Sequence, residues 1–595
     1  MIETTRAALR VFAPKGERSR WIGLVALTSV VVVGETLTAY LVFAVLRFAA
    51  EPSQATDVVA LGLGIEIEIV PLLVLTGVAF LVRGGLALLN AWAQSRVVEG
   101  AAAEVSVRIQ RRYLEAPYTF HLQRSSSESV RTVLWSVDSA TVNAVTPLVT
   151  ILIHGATSIA LFGLLVAIAP ALSLGALAVV AVGLGAILAF VQPALGRIGK
   201  LSETTAEQLL HSVKDAFDNV RDIKAYRAES FFVRRFRHHR FVAADIRISK
   251  LVLDQIPRTG LESLVVVGLL VVIGLAVAGD SFSAFVPILG AFGYATLRIA
   301  PSLTRTVAAA NRLRFGEEAM ANVERDLTIP IPTEPAPSQV TRRDGPLLTD
   351  RIDFCNVSYR YPGAATAALD RIDLTIKRGE FVAIAGGSGS GKSTLIDLLL
   401  GLLDADDGRI LVDGEDRVIA GWHRSVGFVS QTVVLLDGTV RENVAFGAGE
   451  HTDDERVIRA LTDAQLGPWF EGLPHGLETP VGEGGRLVSG GERQRIAVAR
   501  ALYREPELLI LDEATSALDE TTETALVGRL ASMSDSLTTV MVSHRPTPIR
   551  AADRLIVLEH GRVVDSGRHH AGGGTDASSG GSPEADGGQP ASTRP

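Results

Sequence analysis

The nine residues GGSGSGKST at 386–394 constrain this chain more than any other stretch. A β-branched, apolar run (Phe381, Val382, Ala383, Ile384) leads into them and the apolar stretch from Leu395 to Leu400 follows, so the order reads strand, glycine loop, helix. Gly386, Gly389 and Gly391 can take positive φ, which lets the N–H groups of a loop that also holds Gly387, Ser388 and Ser390 turn inward around a polyphosphate. Lys392 is placed to put an ammonium on the β and γ phosphates. Ser393, followed by Thr394, is placed to hold Mg²⁺ at the positive end of the helix that begins there. A flexible Gly/Ser turn that merely contains a lysine is the bland alternative; strand, spacing and helix together argue against it.

Composition bounds what this loop can be attached to. A chain of 595 residues allows two to four domains. A mean hydropathy of +0.29 with 47% hydrophobic residues is high for a chain with a charged nucleotide domain, and the apolar excess lies before residue 310, which points to membrane spans. Cys355 is the single cysteine, so the chain can build neither an internal disulfide nor a cysteine metal site. The net charge of −8 carries little, and nothing argues for nucleic acid.

The N-terminus is basic (Arg6, Arg10, Lys15, Arg18, Arg20) and leads into an apolar run over about 21–49, longer than a secretory signal and without its cleavage site, so a retained first span is expected. Further spans are expected at about 58–90, 140–169, 171–192, 261–279 and 282–305, each near or above the ~20 residues that cross a bilayer core. The short links at 48–57, around Pro170 and around Asp280 carry no Lys or Arg, whereas those at 95–135 and 197–258 carry many, including Arg108, Arg111, Arg112, Arg124, Arg197, Lys200, Lys224, Arg234 and Arg235. The positive-inside rule then places both termini, both long links and the phosphate loop in the cytoplasm, in a multi-pass arrangement.

Both long links have helical periodicity, broken near Pro117 and the Ser-rich tip in 103–140, and in the polar middle of 209–236. They read as spans that continue out of the membrane as helices and reverse at a short transverse segment. The expected domains are a membrane domain at 1–327, a Pro-rich linker at 328–350, a nucleotide domain at 351–567 and a disordered Gly/Ser-rich tail at 568–595.

Downstream of the loop, ELLILDE (507–513) is an apolar strand that ends in two carboxylates. Asp512 is placed to reach the Mg²⁺ shell and Glu513 to take a proton from an attacking water. Directly upstream, VSGGERQRIAVARAL (488–502) resembles the signature motif of ATP-binding cassette (ABC) proteins, with Ser489, Gly490 and Gly491 in the matching places. The resemblance implies ATP as the nucleotide, Tyr361 in YRYPG as the aromatic on adenine, Gln431 in GFVSQ as a metal- and water-facing glutamine, 516–519 (SALD) as the D-loop and His544 in MVSHR as the switch histidine. Val488 and Glu492 depart from the commonest LSGGQ form, and the C-terminal helices usual in this domain appear truncated into the tail.

The fold class expected is thus an α-helical membrane domain of six spans with long cytoplasmic extensions, followed by an α/β nucleotide domain of ABC type. In this family one chain's signature closes over the nucleotide of another, so one copy per chain implies two chains: a homodimer, or a pair with a paralogous half-transporter. A membrane half followed by one cassette is similar to ABC exporters, and TPVGEGG (479–485) resembles their cross-linking loop, which implies that the links at about 115–125 and 218–228 couple to the cassettes.

The resemblance also implies an ATP hydrolase coupled to transport in a bacterial-type inner membrane. RIAPSLTRTVAAANRLRFG (298–316), STLIDLLLGLL (393–403) and GFVSQTVVLLDGTVRENVAFG (427–447) are similar to bacterial flippases of lipid-linked oligosaccharides, which implies an amphipathic, pyrophosphate-bearing substrate in contact with membrane lipid. Glu66, Glu68, Arg83, Arg298 and Arg305 fall in or beside the apolar segments. Arg298 and Arg305 are seven apart, on one helix face, where a basic stripe would suit an anionic headgroup; snorkelling, or pairing with the two glutamates, is the alternative. An exporter of drugs, peptides or other lipids, and a non-pumping regulatory ABC protein, are the competing functions.

Overall fold

The computed structural model describes residues 2–50, 69–168, 170–278, 282–330, 347–415, 422 and 425–568. It divides into two compact units, Met1–Pro332 and Thr333–Pro595.

The first unit is helical among the described residues: α1 (Ile2–Phe12), α2 (Arg18–Ala50), α3 (Ile69–Glu115), α4 (Tyr118–Gln123), α5 (Ser126–Arg131), α6 (Val137–Ala140), α7 (Thr146–Ile168), α8 (Pro170–Asp218), α9 (Val220–Tyr226), α10 (Glu229–Ala278), α11 (Phe282–Phe315) and α12 (Glu317–Leu327). The helices α3, α8 and α10 have 47, 49 and 50 residues. At 1.5 Å per residue that is roughly 70–75 Å, more than twice the ~30 Å of a hydrocarbon core. Each therefore runs on into water once its apolar part has ended.

Six long helices stand where six spans are expected. Among the described residues, four regions carry a window apolar enough to cross a membrane: Arg18–Val45, Ile69–Glu115, Ser126–Ala167 and Ser173–Asp218. The expected spans at 261–279 and 282–305 lie on α10 and α11 and are not among those four. The second expected span, 58–90, is helical from Ile69, and residues 58–68 lie outside the described residues. The third, 140–169, begins with a π-helical turn at Thr141–Val145 before α7, and a second π turn occupies Thr132–Ser136. Such turns insert a residue and rotate every side chain beyond them. Both links reverse through a short helix. Pro117 ends the first descent before α4, and Arg227, in the left-handed region at φ 51°, ends α9 in the second.

The first reversal is tied to the end of the unit by a buried polar knot. Asp326 on α12 is 2% exposed; it accepts from the Tyr113 hydroxyl at 2.6 Å and from the Arg124 guanidinium at 2.8 and 3.1 Å. Arg124 also lies over the rings of Tyr113 and Phe120, at 4.9 and 5.4 Å. Burial, and then the neighbouring aspartate, push the Tyr113 hydroxyl far up from its ordinary value, so it remains a donor at every physiological pH.

The second unit contains β1 (Arg351–Tyr359), β2 (Leu369–Lys377), β3 (Phe381–Ala385), α13 (Lys392–Leu399), β4 (Asp407–Val412), β5 (Val426–Val429), α14 (Val440–Val444), α15 (Asp454–Asp463), α16 (Gly467–Glu471), α17 (Gly490–Leu502), β6 (Leu508–Asp512), α18 (Glu520–Ala531), β7 (Thr538–Val542), α19 (Pro546–Ala551), β8 (Arg554–Glu559) and β9 (Arg562–Arg568). One sheet is antiparallel, in the order β2-β1-β4; the other runs β5-β6-β7-β3-β8-β9, parallel from β5 through β8. Strand alternation explains the unbroken apolar runs. Phe381 and Ala383 enter one core with α14, α15, α17 and α18, while Val382 and Ile384 enter another with α13 and the antiparallel sheet. Two carboxylates fix the entry to this unit. Glu507 accepts from the N–H groups of Leu347 and Leu348, and Asp413 from those of Thr349, Asp350 and Arg351. Leu348, fully buried beside them, completes the anchor.

Asp326→Ala strips Arg124 and Tyr113 of their shared acceptor and should cost about 3–5 kcal/mol locally. Limited trypsin digestion of the full-length protein should then cut at Arg124 and Arg131 much faster than in wild type, whereas Asp326→Asn, which keeps one acceptor, should fall between.

Candidate functional site

Four parallel strands deliver their carboxyl ends to one edge of the sheet, and the residues that follow them form the site. After β3 comes the glycine loop, after β5 Ser430 and Gln431, after β6 Glu513, and after β7 Ser543 and His544. The strand order β5-β6-β7-β3 makes these four ends neighbours.

Two glycines of the loop are required by space as well as by dihedral angle. A Cβ at Gly386 (φ +152°) would lie 2.3 Å from the Leu558 carbonyl, and one at Gly391 (φ +105°) 2.7 Å from that of Ala368. Lys392 opens α13 and its ammonium donates to the carbonyls of Gly386 and Gly387 at 2.7 and 2.8 Å, so the side chain folds back over the loop. The Ser390 hydroxyl is buried and unpartnered within it. Tyr361 reaches the start of the same helix, its hydroxyl 3.2 Å from Thr394 Oγ1 and its ring edge-on to Tyr359 at 5.1 Å.

Beside the loop stands a second cluster. Gln431 Nε2 donates to Glu513 Oε2 at 2.8 Å, and His544 Nε2 lies 3.6 Å from Glu513 Oε1. Glu513 takes a left-handed backbone, φ 48°, held by its own N–H on the Val542 carbonyl and its carbonyl on the Ser516 N–H. A non-glycine residue in that region is strained, and the strain aims this carboxylate between Gln431 and His544. Burial first, and then Glu513, raise the Asp512 carboxyl above its ordinary range, while Lys392 partly offsets them. On α13, burial and then Asp512 push Asp397 up to about 6. Asp512 and the Ser393 hydroxyl offer oxygen donors beside Lys392, and among the described residues no group of three or more His, Cys, Asp or Glu side chains is placed to hold a metal ion.

The signature residues form a separate group. Ser489 is the N-cap of α17: its hydroxyl accepts from the Glu492 N–H at 3.2 Å, and the Glu492 carboxylate accepts from the Ser489 N–H at 2.7 Å. That reciprocal pair gives Glu492 a physical role in place of the commoner glutamine. Gly490 and Gly491 face Ala517 and Leu518, where an added Cβ would approach to 3.4 and 3.2 Å. Gln494 donates to Ser516 Oγ and accepts from the Ala517 N–H, each at 2.9 Å, and Arg545 donates to the carbonyls of Ser516 and Leu518. The sequence reading missed Gln494, Arg545 and Asp397. Only the first carries a local signal, as the polar residue one helical turn after Gly490 and Gly491.

A carboxyl whose pKa is higher in the folded chain than in the unfolded one holds its proton more tightly when folded, so it destabilises the fold as pH rises from about 4 through about 6. In metal-free buffer, Asp397→Asn should therefore raise the thermal midpoint over wild type at pH 7.5 and leave it unchanged at pH 4, measured by scanning fluorimetry.

Comparison with known proteins agrees with this geometry. Residues 369–516 match the ABC transporter family model and residues 22–279 the ABC transporter transmembrane region. The chain is similar to an ATP-dependent lipid A-core flippase of Cupriavidus metallidurans, 32% identical over 502 residues that cover 83% of each chain. It is also similar to one of Thiobacillus denitrificans, 30% identical over 509 residues, covering 84% of this chain and 86% of that one. Among solved structures, a bacterial Atm1-family ABC exporter with ATP bound shares the fold, with a TM-score of 0.76 at 24% identity over 93% of this chain and 95% of that one. The chain belongs to the ABC transporters, as a membrane-spanning domain fused to an ATP-binding domain whose hydrolysis is coupled to transport.

Proposed function

We propose that this chain is one half of an exporter-type flippase that moves a phosphate-bearing, amphipathic glycolipid out of the cytoplasmic leaflet, with ATP and Mg²⁺, as a homodimer in a bacterial inner membrane. Ser393, Asp512 and the Gln431 amide oxygen would hold the cation, which when bound neutralises charge on the phosphates. Glu513 then takes the proton from the attacking water, positioned by Gln431 on one oxygen and His544 on the other. Tyr361 stacks on the adenine, and a second copy's Ser489, Gly490 and Gly491 close on the γ-phosphate.

The observation that carries the substrate class is Arg83. It lies on α3 within the second apolar region, its guanidinium 5.4 Å from the Phe80 ring, and among the described residues its Nε and Nη1 are buried without a partner. A charge at that depth costs ~2.5–3.5 kcal/mol, so an arginine there with donors to spare marks a place for an anion. Arg305 on α11, 3.5 Å from His154 Nε2 on α7, adds a second arginine to the membrane unit. Of the other charges read from the sequence, Glu66 and Glu68 lie outside the described residues, as does the side chain of Arg298. The lipid A-core flippases similar to this chain are named for a lipid cargo, which supports a glycolipid over drugs or peptides.

Glu513→Gln should leave ATP binding intact and cut turnover by ~100-fold or more; unchanged turnover in a phosphate-release assay would remove the base role. For the substrate, reconstituted protein should be stimulated in ATPase by phosphate-bearing glycolipids, polyprenyl-pyrophosphate glycans included, and Arg83→Gln with Arg305→Gln should abolish that stimulation. A panel response to hydrophobic cations alone would favour a drug exporter, and one to peptides alone a peptide exporter.

A further inference from the structure

Away from the ATP site and from the spans, the first unit contains a cavity of about 500 Å³ lined by Arg10, Arg108, Arg111, Arg112, Glu115 and Glu324 with apolar neighbours. It lies where α1, the polar end of α3 and the end of α12 meet. We propose that this cavity binds a phosphate-bearing anion at the cytoplasmic face, as a site distinct from both the nucleotide and the transported substrate.

The sequence of α3 makes the case first. Arg108, Arg111, Arg112 and Glu115 fall at i, i+3, i+4 and i+7, a spacing that gathers three guanidiniums on one helix face. Like charges so placed repel, and an anion bound among them turns that repulsion into attraction. Packing then fixes two of the three. Arg108 Nη2 donates to the Val11 carbonyl at the end of α1, at 2.6 Å, and Arg112 Nη1 to the Ile329 carbonyl just beyond α12, at 2.8 Å.

Capping those two helix ends is a structural duty, yet it uses one nitrogen of each fork. A guanidinium has five N–H donors, and Arg108 Nε is buried with no partner among the described residues. The remaining two arginines stand at the rim. Arg10 pairs with Glu324 at 3.1 Å and is 70% exposed; Arg111 is 3.8 Å from Glu115 and 74% exposed. Four guanidiniums against two carboxylates leave the lining cationic. Two are anchored on carbonyls, and two sit in exposed ion pairs that water screens, so each keeps donors for the bidentate way in which arginine takes phosphate oxygens. The volume is that of a small-molecule site.

The ligand chemistry is therefore a mono- or diphosphate, and two sources share it: the headgroup of an acidic phospholipid, and a soluble phosphate of the cytoplasm. An anion here would bridge α1, α3 and α12, the last helix before the chain leaves this unit.

The test uses full-length protein in nanodiscs with the ATP site saturated by Mg²⁺ and a non-hydrolysable ATP analogue. One arm titrates inorganic pyrophosphate by calorimetry in phosphatidylcholine discs. The other compares thermal midpoints in discs with and without added phosphatidylglycerol. The double variant Arg10→Gln, Arg111→Gln spares both carbonyl caps; Arg6→Gln with Arg20→Gln removes the same charge from exposed positions outside the cavity. Pyrophosphate binding weakened about tenfold or more by the first pair and not by the second establishes a soluble ligand. A phosphatidylglycerol-dependent gain in midpoint, lost in the first pair and kept in the second, establishes a lipid headgroup. No response of wild type in either arm, or equal responses in the two double variants, overturns the proposal.

Discussion

The parallel register of β5, β6, β7 and β3 is the constraint on which the rest of the second unit depends. Parallel strands all finish on the same edge, so four segments up to some 150 residues apart in the chain end within reach of one another. The glycine loop, Gln431, Glu513 and His544 need no further device to converge; each is the first polar residue, or nearly so, after its strand. The convergence is stable because both faces of the sheet are covered. Phe381, Leu509, Leu511 and Met541 lie under the α17 side, and Val382, Ile384, Ile510 and Val540 under the α13 side. Slipping one strand by a residue would exchange those two sets and carry its site residue away from the edge.

This edge also gathers unfavourable terms. Asp397, Asp512 and Glu513 crowd together, and both aspartates hold their protons more tightly than free carboxyls do. Glu513 carries backbone strain in addition, at φ 48°. Structures tolerate such costs where a ligand later relieves them, and Lys392, doubled back on the carbonyls of its own loop, is the only cation that the carboxylates' shifts register. A bound polyphosphate supplies the anion that the lysine lacks and draws its ammonium off the loop carbonyls.

How much of this could be read from the chain depends on how far apart the interacting residues are. The phosphate loop was legible because strand, glycines, lysine and helix are contiguous. Asp512 and Glu513 were legible because an apolar strand ends on them. Gln494 and Arg545 were not, since their partners are the backbone and side chain of 516–518, and only the folded turn brings 494, 517 and 545 together. Asp397, on helix α13, was hidden for the same reason: its neighbour across the site, Asp512, is 115 positions away at the end of β6. In the membrane unit the reversal near Pro117 was legible from a residue that cannot continue a helix. So was the continuation of the spans into water, from the helical periodicity that runs on through the polar links at 103–140 and 209–236; hydropathy alone marks the membrane boundary and not the element boundary, because a helix whose backbone bonds are all internal is indifferent to where the bilayer ends.

Helices that outrun the bilayer bear on how the first unit can act as a machine. A helix of about 70 Å that is only partly in the membrane is a lever, but a lever transmits movement only if its far end is held. At the end of α3 a buried apolar cluster does much of the holding, with Val105 and Ile109 packed among Val11 and Phe12 of α1, Val137 and Ala140 of α6 and Met320 and Val323 of α12, and polar knots add to it. Arg124, Tyr113 and Asp326 fasten the first reversal to α12, and Arg131 with Ser136 fastens the following segment to Glu203 on α8. Buried ion pairs of this kind add little net stability compared with well-packed apolar groups, yet removing one partner is costly. They therefore give orientation more than strength. Gly199 and Gly316, whose absent side chains let Phe315 and Asn143 approach, allow the elbow between α11 and α12 to pack against α8 and the π turn at Thr141–Val145. The polar ends of α3, α8 and α12 are consequently joined side by side into one body, and a displacement applied to α12 moves the first reversal with it.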